Sequence, residues 1–153
     1  MRRRRIRDWL KALQPGPLPA SLADISRHAL GTGLGIGCTA WVMHALAVPL
    51  ALQAWLVAPL GASAVLVFVL PASPLAQPWS VVAGSVLSAL VAIACVHLAA
   101  NAVLAAGLAV GLAVLVMGLC RCLHPPGGAV ALLVVLNHVT PARSRRRCAA
   151  EIR

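Results

Sequence analysis

Apolar residues in this chain gather into long runs separated by short polar or Pro-rich breaks. The first run predicts a membrane span over about residues 29–50, and it carries Gly31, Gly33, Gly35 and Gly37. Gly31/Gly35 and Gly33/Gly37 each have the small-xxx-small spacing that lets two helix backbones approach in lipid. A second run, about 54–70, is interrupted near its start by Pro59-Leu60-Gly61-Ala62-Ser63. After the turn Pro71-Ala72-Ser73-Pro74 come a third span over about 79–99 and a fourth over about 102–122. Gly107, Gly111 and Gly118 are the expected small contacts of the fourth. Each of these two runs holds about 20 residues, enough to cross a hydrocarbon core of about 30 Å. The last run, about 127–139, has only about 13 residues and is too short to span comfortably. The pattern predicts an all-α, polytopic transmembrane helix bundle of about four spans plus a short re-entrant or broken helix.

Charge sharpens this picture. Only 10% of the 153 residues are charged and 61% are hydrophobic. Between Arg27 and Arg121 there is no Asp, Glu, Lys or Arg, so a water-facing surface has nothing to be built from. The net charge of +10 comes mostly from the ends: Arg2 to Arg5, Arg7 and Lys11 in front, and Arg143, Arg145 to Arg147 and Arg153 behind. Basic tails flanking apolar runs act as positive-inside signals, and no nucleic-acid reader motif accompanies them. The chain therefore divides into a basic, Pro-containing cytoplasmic head (1–27), a transmembrane domain (28–140) and a basic tail (141–153). In the head, Ile6, Trp9, Leu10 and Leu13 have the spacing of an interfacial helix, a disordered charged tail being the other reading. The expected setting is the inner (plasma) membrane of a bacterium, with the N-terminus cytoplasmic. If the last run dips into the bundle and returns, the tail is cytoplasmic too; if it crosses, the tail lies outside, against the positive-inside rule.

Two segments echo each other: Pro59-Leu60-Gly61-Ala62-Ser63-Ala64-Val65-Leu66 and Pro125-Pro126-Gly127-Gly128-Ala129-Val130-Ala131-Leu132. Each places Pro and Gly before an apolar helix, where the first amide N–H groups lack intrahelical partners. Two such starts brought together would offer an anion their free N–H groups and positive dipole ends.

The residues His124-Pro125-Pro126-Gly127-Gly128-Ala129, together with Ala58–Phe68 and Pro71–Pro78, resemble the two marked regions of the HPP family of membrane proteins. The resemblance covers about residues 28–137. It implies a compact domain of four spans and a transport role, with nitrite the suggested substrate for some relatives. Relatives continue after the second motif into one more apolar helix. This chain instead turns at Thr140 into Pro141-Ala142-Arg143-Ser144-Arg145-Arg146-Arg147, so the last helix is expected to be missing or replaced.

Gly61, Ala62, Ser63, His124, Pro125, Pro126, Gly127 and Gly128 are the candidate substrate-binding residues. His124 reads either as a titratable group at the mouth of an anion path or as a cap on the carbonyl end of the fourth helix. The glycines could equally serve tight helix crossing. His44, His97 and Asn101 sit in or beside spans, where they satisfy neighbours or line a path. Trp41, Trp55 and Trp79 suit interfacial anchoring. Cys120-Arg121-Cys122-Leu123-His124 lacks structural zinc spacing, and no metal or cofactor is expected. Cys38, Cys95, Cys120, Cys122 and Cys148 read as thiols acting as small hydrophobes rather than a disulfide framework. The acidic residues Asp8, Asp24 and Glu151 all lie outside the apolar core, so carboxylate catalysis has no basis and no enzyme is expected. The leading functional expectation is movement of a small inorganic anion such as nitrite. The alternative is a non-transporting scaffold or subunit, or an inactive family member, whose glycine faces meet a second copy or a partner membrane helix.

Overall fold

A computed structural model describes residues 20–151, less the side chains at 51, 54 and 139–151. The expected interfacial helix at Ile6–Leu13 lies outside the described residues. Five helices follow in order, and no strand occurs among the described residues: α1 (Leu22–Ala45), α2 (Leu50–Val69), α3 (Pro78–Leu98), α4 (Ala102–Leu119) and α5 (Pro126–Glu151). A single 3-10 turn, Pro74–Ala76, links α2 to α3. The chain is an all-α transmembrane bundle. α3 and α4 are long and apolar enough to cross a membrane, and Trp55–Val69 and Pro126–His138 are shorter apolar stretches.

The helix ends follow from local chemistry. Ser21 opens α1 with a capping box: its hydroxyl accepts from the Asp24 amide and the Asp24 carboxylate accepts from the Ser21 amide. Pro78 and Pro126 begin α3 and α5, where a missing N–H costs nothing. The Asn101 side chain accepts from the Leu104 amide at 2.9 Å and caps α4. Two helices end in a left-handed residue that is not glycine. Ala47 (φ 52°) and Arg121 (φ 53°) take the left-handed conformation after α1 and α4. The Val48 amide then reaches the Met43 carbonyl, and the Cys122 amide reaches that of Met117, closing two Schellman motifs.

Packing in the α3–α4–α5 unit is set by residue size. α3 buries Ser80, Gly84, Ser88, Ala92 and Cys95, and α4 buries Ala105, Ala109, Ala113 and Met117. On α5 the buried positions among those whose side chains are described are Pro126, Gly127, Ala131 and Val135. Small residues recurring every fourth position bring backbones close where lipid gives no hydrophobic drive for association. The glycines expected to pack α4 are not on this face. A Cβ added at Gly107, Gly111 or Gly118 would meet nothing within 4 Å. Gly107 lies two residues from Ala105 and Ala109, so the helical turn carries it to the opposite side.

α1 packs on α2 and has no buried residue of its own. The Phe68 ring of α2 covers Gly31 and Gly35, where an added Cβ would lie 2.8 Å from ring carbons. Gly33 and Gly37 face open space. One of the two expected glycine faces is therefore used within the chain.

α5 revises the reading of the last apolar run. The chain leaves α4, turns at Arg121 and dips back inside, so that Cys122 and His124 lie against Gly84. Gly84 is six residues into α3, about 9 Å along its axis. α5 starts at that depth and reaches His138, whose ring stands edge-on to His97 in the last turn of α3. Its apolar stretch, Pro126–His138, is shorter than α3 or α4 and runs from that depth to the far end of α3. The helix continues to Glu151, so the backbone does not break at Thr140.

Candidate functional site

His124 is the centre of the candidate site. Its side chain is completely buried at the foot of the re-entrant segment. Nδ1 lies 3.0 Å from the Leu75 carbonyl oxygen, and Nε2 lies 2.9 Å from Ser63 Oγ. A carbonyl oxygen only accepts, so Nδ1 carries a hydrogen. The ring thus ties three separate pieces of chain together: α2 through Ser63, the α2–α3 connection through Leu75, and the entry to α5. His124 does not cap α4, whose last carbonyls are closed by the amides of Cys120, Arg121 and Cys122.

Ser63 has a second partner. Its Oγ lies 3.0 Å from the Pro59 carbonyl oxygen one turn earlier. One hydroxyl hydrogen therefore faces two acceptor positions, the Pro59 carbonyl and the imidazole Nε2. Ser63 also lines a cavity of about 220 Å³ between α1 and α2, shared with Gly35, Thr39 and Phe68. On the other side of α2 an apolar groove of about 420 Å³ is lined by Ala62, Val65, Pro125 and Pro126 among others. The polar pair sits between a small, partly polar cavity and an apolar groove.

The expected pair of Pro/Gly-led helix starts is not formed. Pro59 is the tenth residue of α2 rather than its first. Interior proline is tolerated in membrane helices because neighbouring groups take up the freed backbone. Pro126 does start a helix, but its first amides are already engaged: Gly127 donates to the His124 carbonyl at 2.8 Å and Gly128 to that of Pro125 at 3.0 Å. A cradle of free N–H groups from Gly61, Gly127 and Gly128 is therefore absent, and Gly61 faces open space. Of the sequence candidates, Ser63 meets His124, and Ala62 meets the Pro125-Pro126 entry in the apolar groove.

Gly127 serves packing instead. A Cβ there would come 2.6 Å from Ser88 Oγ, 3.0 Å from Met117 Sδ and 3.2 Å from the Gly84 carbonyl oxygen. Gly128 has only Val110 at 3.9 Å. Gly84 and Ser88 were not singled out from the sequence, yet they hold the re-entrant segment in place. Their signal was the repeat of small residues every fourth position through α3. The Leu75 carbonyl carries no side-chain signal at all.

The remaining candidates lie apart from this site. Asn101 caps α4, and His97 meets His138 with ring centroids 5.6 Å apart. Trp41 and Trp79 are largely exposed, and Trp79 Nε1 donates to the Cys120 carbonyl at 3.4 Å. Cys95 and Cys122 are buried, whereas Cys38 and Cys120 are exposed. Among the described residues no group of three or more His, Cys, Asp or Glu is placed to share a metal ion.

Known proteins place this geometry in a family. The profile of the HPP transmembrane region matches residues 17–145. Two transmembrane proteins of Dictyostelium discoideum are similar to the chain. One is 39% identical over 125 residues, which is 79% of this chain and 43% of the relative. The other is 36% identical over 131 residues, 83% of this chain and 42% of the relative. The chain thus spans about two-fifths of the length of these relatives. No solved structure matches it. With the re-entrant His124-Pro125-Pro126-Gly127-Gly128 segment at its core, the chain belongs to the HPP family of integral membrane proteins.

Proposed function

We propose that this bundle moves a small inorganic anion across the membrane, with nitrite the substrate that the family resemblance suggests. The observation that carries the reading is a wholly buried imidazole hydrogen-bonded to Ser63, which itself opens onto the α1–α2 cavity. Polar groups at membrane depth are expensive, and in transporters they mark the path. Because the Gly127 and Gly128 amides are engaged, the imidazole and hydroxyl replace helix dipoles as the groups that meet the ion. In this proposal the setting is a bacterial inner membrane, and the arginine-rich N-terminus is cytoplasmic.

Nitrite flux into proteoliposomes containing the purified chain tests the reading. Saturable flux that drops at least tenfold in His124→Ala, with normal insertion and helicity, supports it. Flux equal to that of empty liposomes from a well-folded sample refutes it.

A scaffold role is the second reading. It is favoured by α1, which buries no residue, and by the open glycines Gly33, Gly37, Gly107 and Gly111. Those faces suit a second copy or a partner membrane helix. Crosslinking through a cysteine placed at Gly37 distinguishes the two, because a scaffold gives a specific adduct and no flux.

A further inference from the structure

We infer that the anion travels with a proton carried on His124, so that the two cross together without net charge; the inference rests on the anion reading of the same site. Two observations lead there. The first is a count of hydrogens. Three contacts meet at the His124–Ser63 pair: Nδ1 to Leu75 O, Nε2 to Ser63 Oγ, and Ser63 Oγ to Pro59 O, all at 2.9–3.0 Å. A neutral ring supplies one hydrogen and the hydroxyl another, leaving one contact without any. A proton added to Nε2 supplies the third. The ring then donates to Ser63, the hydroxyl turns to the Pro59 carbonyl, and every contact becomes a hydrogen bond.

The second observation is the missing countercharge. No charged residue lies between Arg27 and Arg121 in the sequence, so a lone anion in this bundle has no fixed positive partner. A bare ion taken out of water into such a medium costs many kcal/mol. Among the described residues, His124 is the buried imidazole. Nothing nearby would hold its proton permanently. From α2 it meets Ser63 and Pro59, and from the α2–α3 connection the Leu75 carbonyl. From α3 comes Gly84, followed on that face by Ser88, with Met117 from α4 beside them. The start of α5 brings Pro126, Gly127 and Gly128, none of which titrates. The titratable neighbours in its own segment are Cys120, Cys122 and Arg121, and Cys120 and Arg121 are exposed. With no carboxylate facing the ring, only a passing anion neutralises it.

The cycle balances. The Nε2 lone pair takes a proton from water on one side, and an anion of charge −1 pairs with the imidazolium. On the other side the anion leaves, Nε2 returns the proton to water, and the ring is neutral again. One proton and one anion have crossed.

The test uses the full chain in proteoliposomes, with nitrite as the probe, a pH-sensitive dye inside and potassium with valinomycin to set the voltage. Empty liposomes report leakage of nitrous acid. An inward gradient of one pH unit should drive about tenfold nitrite accumulation, since one pH unit is one decade of driving force. The lumen should acidify with nitrite entry, and voltage should leave the rate unchanged. Saturable, voltage-driven flux indifferent to the proton gradient overturns the proton inference while the anion reading stands. No flux above leakage overturns both. His124→Gln keeps a donor and an acceptor but cannot be protonated, and should lose the gradient response. A readout independent of flux is ¹⁵N NMR of His124 in nanodiscs, where both ring nitrogens should carry hydrogen in the proton-loaded form. A ring that keeps a single N–H throughout overturns the inference.

Discussion

Replacing Gly84 by alanine adds a single methyl group at the point where the re-entrant segment crosses α3. That Cβ would stand 2.7 Å from the Cys122 carbonyl oxygen, 2.8 Å from His124 Cβ and 3.3 Å from Met117 Sδ. The methionine sulfur can move. The carbonyl cannot without displacing the turn that holds His124, and the His124 Cβ is fixed by the same backbone. Overpacking of this kind costs about 1–3 kcal/mol, and backbone obstacles favour the upper part of that range. Alanine recovers about 1 kcal/mol of helix propensity over glycine, so the net loss should be about 1–2 kcal/mol. Gly107→Ala is the matched control, because a Cβ there meets nothing within 4 Å and the propensity gain stands alone. The two variants should therefore differ by roughly 2–3 kcal/mol in opposite directions from the native chain. Unfolding by SDS titration in mixed micelles, followed by far-UV circular dichroism, measures both. Gly84→Ala unfolding at the same SDS fraction as Gly107→Ala would refute the claim that α3 and the His124 segment are in backbone contact.

Three further outcomes follow from single features. Ala47→Gly should stabilise the chain by about 1 kcal/mol, because it relieves an L-residue at φ 52° in the Schellman turn after α1, and the same SDS titration reads it. Phe68→Ala should cost roughly 1–2 kcal/mol, below the 3–5 of a fully buried phenylalanine because the ring is half-exposed, and should raise thiol labelling of residues introduced at Gly31. The Ser21 hydroxyl and amide hold the Asp24 carboxyl below its ordinary value of 3.8, in the exposed first turn of α1 ahead of the apolar stretch. The capping contribution is therefore complete above that value and is lost as pH falls through the lowered one; amide exchange at Ser21–Ile25 should show this, and Ser21→Ala, which keeps the amide but loses the hydroxyl, should weaken the dependence.

The uncharged interval from Arg27 to Arg121 made the membrane setting and the α3 and α4 helices legible. His124 was legible for a related reason, as a polar side chain in an apolar span. Its partners were not. Ser63 lies 61 residues away and Leu75 contributes only a carbonyl, so neither pairing leaves a trace in local pattern. Pro59 misled because proline before a run of small apolar residues reads as a helix start, whereas here it sits within α2. Length was informative at α5: thirteen apolar residues are too few for a whole bilayer, and the helix begins inside the bundle, against Gly84. The glycines of α4 misled in a more general way. In water the buried face announces itself by hydrophobicity, but here lipid-facing and buried positions are both apolar and that periodicity vanishes. What survives is periodicity of size. Ala105, Ala109 and Ala113 keep step with Ser80, Gly84, Ser88 and Ala92 every fourth residue, whereas Gly107 and Gly111, although smaller, are two positions out of phase. In a lipid-embedded bundle the phase of a small residue within its helix tells more about contact than its smallness.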